Sequence, residues 1–184
     1  MPATILGLPA HPLIVHAVVV LVPLAAVLVG ASAVSARFRH WSRYATPLVA
    51  LAGLAMVPLA SESGEGLERS VPHSALVEQH AELADSLLPL MVAVTVVALV
   101  QRWLDRRSVA TAAADGGTAA DQVDSPRRSP SGQRAAVLVV AVVALLVSAG
   151  TLVQVGRIGH SGAKAVWSDV KVKGGADESG PSRP

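Results

Sequence analysis

Predominantly apolar stretches occupy residues 13–36, 44–60, 83–104 and 135–155, and charged or glycine- and proline-rich segments separate them. Within each stretch the apolar residues are bunched rather than recurring every third or fourth position, which is the pattern of a membrane span and not of an amphipathic helix on a water-soluble core. The pattern predicts an all-α fold, an integral membrane four-helix bundle.

Local signals place the spans. Pro12 suits the first turn of the first helix, where its missing N–H is no loss, and His11 falls at the cap. Pro23, inside that span, predicts a kink. The second span is close to the lower limit of about 17 residues for crossing a bilayer, carries Gly53 and Pro58, and begins near the interfacial aromatics Trp41 and Tyr44. Gln101, Arg102 and Trp103 end the third, where Arg102 can snorkel to the interface. Residues 1–10 contain no lysine or arginine, and the run that follows is too long for the apolar region of a signal peptide, so it reads as a span. Residues 1–107 thus hold three spans, 108–134 a disordered linker rich in Ala, Gly, Ser, Asp and Pro, 135–167 the fourth span with a Gly-His motif, and 168–184 a disordered tail.

Charge orients the bundle. Eight of the fifteen basic residues fall in the segments after spans one and three and a ninth, Arg102, ends span three, whereas residues 61–82 contain five glutamates and one arginine. Both termini are therefore expected on the extracytoplasmic side of the membrane. The net charge of +2 and sequence pI near 9.5 reflect this topology, so lipid bilayer and not nucleic acid is the expected partner. With no cysteine, disulfides, thiolate metal sites, iron–sulfur ligation and thioether-linked haem are excluded.

The same topology gathers five of the six histidines at one face: His11, His16, His73, His80 and His160, beside Glu62, Glu65, Glu78, Glu82 and Asp85. His11 and His16 are about 140° apart on a helix and roughly 6 to 8 Å apart in depth. His16 is expected to point into the bundle and His11 to cap the helix or lie at the interface. One reading is a b-type haem held by His16 and His80, with His160 as the substitute ligand, since two neutral imidazoles satisfy iron and glycines 156, 159 and 162 make room for the macrocycle. A second is a divalent metal held by His11, His73, Glu78, Glu82 and Asp85. A third is a non-catalytic accessory or scaffold subunit that packs on a redox or membrane-complex partner. The chain has no phosphate-binding glycine loop with lysine, no His-Glu-x-x-His pair and no nucleophile-elbow serine, so catalysis is not expected. Nor does a chain of ionisable residues cross between the faces, as a pump would need.

His11-Pro12-Leu13-Ile14-Val15-His16, the residue 64–80 loop leading into the third span, and Gly159-His160-Ser161-Gly162-Ala163 together resemble the bacterial membrane proteins grouped as domain of unknown function 2231. The resemblance covers residues 9–167 apart from the linker. It implies a four-span inner-membrane protein, in a family some of whose members join this domain to Rieske or cytochrome c modules. Ala17 stands where an aromatic often follows the second histidine.

Overall fold

A computed structural model of the 184-residue chain describes residues 4–5, 8–69, 74–114 and 131–167. Two-residue strands β1 (Thr4–Ile5) and β2 (Leu8–Pro9) pair antiparallel and lead into helix α1 (Ala10–Val34). Then come α2 (Ala36–Trp41), α3 (Ala45–Glu68), α4 (Ala75–Asp85), α5 (Leu87–Ala114) and α6 (Ser131–Trp167). The expected linker and tail centre on residues 115–130 and 168–184, which lie outside the described residues.

Four helical stretches are long and apolar enough to cross a membrane: His11–Val34, Ala45–Glu68, Ala75–Ala110 and Arg134–Trp167. The valines that fill α1 are mediocre helix formers in water, but in hydrocarbon the chain must satisfy its backbone internally, and a helix does so. The second span is longer than its apolar stretch: α3 continues through Ser61 to Glu68 as a helix that rises beyond the apolar layer. Likewise α6 runs on through the Gly-His motif to Trp167.

Hydroxyl groups shape the connections. Ser35 caps α2 by accepting from the Phe38 N–H at 3.2 Å, and Ser74 caps α4 by accepting from Val77 at 3.3 Å. The tight return from α1 to α3 is held by a buried relay in which Thr46 Oγ1 donates to Ser42 Oγ at 3.0 Å and Ser42 Oγ lies 3.3 Å from Ser32 Oγ. Between α4 and α5, the Gln154 side chain of α6 donates to the Leu83 carbonyl at 3.0 Å and to Ser86 Oγ at 2.7 Å, bracing the break.

Helix α1 packs on α3 and α6, and α5 packs on the same two, so α1 and α5 share one diagonal and α3 and α6 the other. The buried stripes follow one rule. In α1 it is Val18, Val22, Ala25, Val29 and Ser32; in α5 it is Leu87, Met91, Val94, Ala98 and Gln101. Helix α3 contributes Thr46, Ala50, Gly53 and Val57, and α6 contributes Ala144, Ser148 and Thr151. All alternate steps of four and three residues, the seam of closely aligned helices. Outside the stripes, Val20, Val27, Leu138, Leu146 and Val153 stay exposed, as a lipid-facing surface requires.

Candidate functional site

At the end of the bundle where α1 begins and α3 ends, His11 is half-buried and its Nδ1 lies 3.0 Å from Ser63 Oγ. The Ser63 hydroxyl donates to the Ala60 carbonyl at 2.9 Å. With the Ser63 proton on that carbonyl, Ser63 accepts from the histidine, the arrangement in which His11 carries its proton on Nδ1 and presents Nε2 as a lone pair. His80, on α4, repeats the arrangement. Its Nδ1 lies 3.0 Å from Ser161 Oγ, and Ser161 donates to the Ile158 carbonyl at 2.9 Å. Each ring also rests on a glycine: a Cβ at Gly64 would stand 3.1 Å from His11 Cε1, and one at Gly162 would stand 3.1 Å from His80 Cε1. Only a residue without a side chain lets the helix backbone come so near the imidazole.

These two clamps are copies. His80 follows His11 by 69 positions, and the same step carries the buried stripe of α1, residues 18, 22, 25, 29 and 32, onto that of α5, residues 87, 91, 94, 98 and 101. Ser161-Gly162 follows Ser63-Gly64 by 98 positions, and that step carries the α3 stripe onto residues 144, 148, 151 and 155 of α6, keeping Leu48, Val49, Leu54 and Val57 as Leu146, Val147, Leu152 and Val155. Each helix pair carries a histidine seven residues before the first buried position of its stripe, on α1 itself in one pair and on α4 just ahead of α5 in the other, and a Ser-Gly step near the end of its second helix.

Among the described residues, His16 and His160 stand apart from this pair. His16 is exposed and turns back to donate Nδ1–H to the Pro12 carbonyl of its own helix. The expected roles of His11 and His16 are thus reversed, because His11 lies one heptad before buried Val18 and His16 falls off that stripe. In the duplicated frame His16 corresponds to Asp85 and His160 to Glu62, all four exposed. His160 lines an open apolar groove with Leu76, Ala163, Lys164 and Trp167. Around it, Gly156 and Gly159 face open space, and only Gly162 meets a ring, that of His80.

Glu78, Glu82 and Asp85 are exposed on α4. Among the described residues no three or more His, Cys, Asp or Glu side chains come together as a metal-binding group, so the mixed imidazole–carboxylate set expected for a divalent metal does not assemble there. His73 lies outside the described residues. Sequence reasoning did not find Ser63, Gly64, Ser161 or Gly162 as partners of the histidines. The repeated Ser-Gly step and the two constant offsets were the available signal.

Fold and site define a class: an all-helical membrane protein of four candidate spans, built from two similar halves, with a paired imidazole clamp at one end. Residues 7–173 match the family described as "Predicted membrane protein (DUF2231)", and the chain belongs to that family. No curated protein and no solved structure matches the chain.

Proposed function

We propose that this protein is a redox carrier or redox-accessory protein of the bacterial inner membrane, with His11 and His80 as the residues that would hold a b-type haem. The observation that carries this reading is the pair of Ser-Gly clamps, which set Nδ1 of both imidazoles 3.0 Å from a serine hydroxyl that also reaches a backbone carbonyl, a setting that favours the Nδ1–H form and a lone pair on each Nε2. Haem asks the protein for two such ligands, and a hydrogen bond at Nδ1 fixes the tautomer and orientation of each. A protein-only zinc site asks for three or four. The exchange of His16 for His11 in the ligand pair follows from burial and from the duplicated frame, in which only His11 and His80 are equivalent.

Bound haem would supply one-electron chemistry between its ferrous and ferric states. The chain's own contribution is to orient the two rings and to set the site near one membrane face, within reach of a redox partner protein. We place that face on the extracytoplasmic side, because the opposite end carries Arg37, Arg39, Arg43, Arg102, Arg106 and Arg107.

The test is the absorption spectrum of the full chain expressed with haem available and purified in mild detergent. The expected result is a Soret band and a pyridine haemochrome, lost in His11→Ala and in His80→Ala and retained in His16→Ala and His160→Ala. Absence of haem from the unaltered protein overturns the reading and leaves a scaffold subunit, to be sought by co-purification with a membrane complex.

A further inference from the structure

The opposite end of the bundle holds a second, unrelated site. A cleft of about 170 Å³ opens between α1, α5 and α6, with Arg39 of α2 at its mouth. Its walls are apolar, formed by Ala33, Leu104, Val137, Val140 and Ala141, and its polar groups are Arg39, Gln101, Asp105 and Ser108. Gln101 is only 6% exposed and spends its amide N–H on the Val29 carbonyl at 3.4 Å. Its Oε1 is buried and has no hydrogen-bond partner among the described residues. A buried carbonyl without a partner forfeits the hydrogen bonds it made to water, so this acceptor calls for a donor.

The charges around it narrow the donor's chemistry. Arg39 Nε donates to Asp105 Oδ1 at 2.9 Å, and Arg39 Nη1 donates to the Ser32 carbonyl at 2.9 Å. Arg39 and Asp105 are the charged residues of the lining, and as an ion pair they leave the lining itself without net charge. It offers a guanidinium for a phosphate oxygen and, a short way off, a carboxylate and an amide oxygen for an N–H donor. The cleft also sits at the level of the interfacial aromatics. The guanidinium groups of Arg43 and Arg102 stand 4.9 and 5.0 Å from the centre of the Tyr44 ring, and that of Arg107 stands over Trp103 at 3.6 Å. Aromatic and basic belts of this kind mark headgroup depth. The Val137, Val140 and Ala141 wall then continues into the surface where acyl chains run.

We propose that this cleft binds the headgroup of a phosphoethanolamine lipid from the adjoining leaflet, with the phosphate on Arg39 and the primary ammonium donating to Gln101 Oε1 and Asp105. The ammonium is the discriminating part. A phosphocholine headgroup has the same charges and no N–H, so it cannot satisfy Gln101. Phosphatidylglycerol offers hydroxyl donors but adds a net negative charge that the Arg39–Asp105 pair does not balance.

The experiment is native mass spectrometry of the full chain, delipidated and then titrated with phosphatidylethanolamine, phosphatidylcholine or phosphatidylglycerol of matched acyl chains. Phosphatidylethanolamine is expected to bind about tenfold tighter than phosphatidylcholine, the worth of one charge-assisted hydrogen bond. Gln101→Leu is expected to bring the two within about twofold, and Gln101→Glu, which keeps an acceptor, to retain the preference. Equal binding of the two lipids by the unaltered chain overturns the proposal and assigns Gln101 to water. A preference for phosphatidylglycerol overturns it in favour of a simple basic patch. Displacement by soluble O-phosphoethanolamine as effectively as by the lipid overturns the lipid as the source.

Discussion

Ser161 Oγ lies 3.0 Å from His80 Nδ1 and 2.9 Å from the Ile158 carbonyl, and a hydroxyl proton placed on that carbonyl makes Ser161 the acceptor and leaves Nε2 of the ring free. Because Ser63 and His11 repeat it, both rings are predicted to be Nδ1–H tautomers. Nitrogen-15 solid-state NMR of histidine-labelled protein in lipid, without added haem, measures this directly. A protonated Nε2 with a bare Nδ1 at either position contradicts the clamp. Ser63→Ala and Ser161→Ala are each expected to cost about 1 kcal/mol of stability and to release the neighbouring ring into a mixture of tautomers.

The glycines of the two clamps separate from the other glycines of α6. An alanine methyl at Gly162 would meet His80 Cε1 at 3.1 Å, and the ring cannot retreat without stretching its bond to Ser161. Gly162→Ala, and Gly64→Ala by the same contact with His11, are predicted to destabilise by about 1–3 kcal/mol. Gly159 has nothing within 4 Å of its would-be Cβ, although it stands in the same helix three residues away. Gly159→Ala is predicted to be neutral or to stabilise by about 0.5 kcal/mol, since alanine is the better helix former. Thermal unfolding in detergent compares them; equal effects at positions 159 and 162 would show that the imidazole contact is not what requires glycine.

The four spans were legible because each is an apolar block, and length alone distinguishes a membrane crossing from a core strand. The rotation of each helix was not. Spacing along α1 gives the angle between His11 and His16 but not which of them faces inward, since a helix that is apolar all round carries no polar face to mark its outer side. Burial of Val18, Val22, Ala25 and Val29 settles it, and that stripe, traced back one heptad, arrives at His11. The partner serines were hidden for another reason. Their alignment with the histidines depends on α3 and α6 continuing as helices beyond their apolar parts, through Ser61-Glu62-Ser63-Gly64 and Gly159-His160-Ser161-Gly162, stretches whose composition alone favours turns.

Gly53 is a close-approach point of a different kind. Its would-be Cβ lies 3.0 Å from Met91 Cε and 3.7 Å from the backbone of Leu21, so α3 is pressed on α1 and α5 at once. A methionine methyl is the movable end of a flexible side chain, and Gly53→Ala is predicted to cost less than about 1 kcal/mol. Gly53→Val also pushes toward the rigid α1 backbone and is predicted to cost about 1–3 kcal/mol. Met91→Ala combined with Gly53→Val should recover part of that loss, and a double-mutant cycle showing no coupling would dissociate the two residues.

Arg39 and Asp105 tie the short α2 helix to α5, and the tie has two strands of unequal replaceability. Through Nε the guanidinium reaches Asp105 Oδ1, and through Nη1 it reaches the Ser32 carbonyl, both at 2.9 Å. The side chains are 24% and 30% exposed, so water weakens the pair without removing it. Arg39→Met loses both bonds and leaves the carboxylate partly buried and alone, whereas Asp105→Asn keeps an oxygen for Nε. The first is predicted to cost about 1–2 kcal/mol and the second about half that, with a coupling energy near 1 kcal/mol in the double mutant. Arg39→Lys is not a repair, because a single ammonium cannot span the two acceptors that the planar fork joins. Denaturation of the four proteins at low and high salt tests the assignment: additive losses, or a coupling that vanishes at 0.5 M salt (about 4–5 Å of Debye length), would reduce the contact to a surface pair.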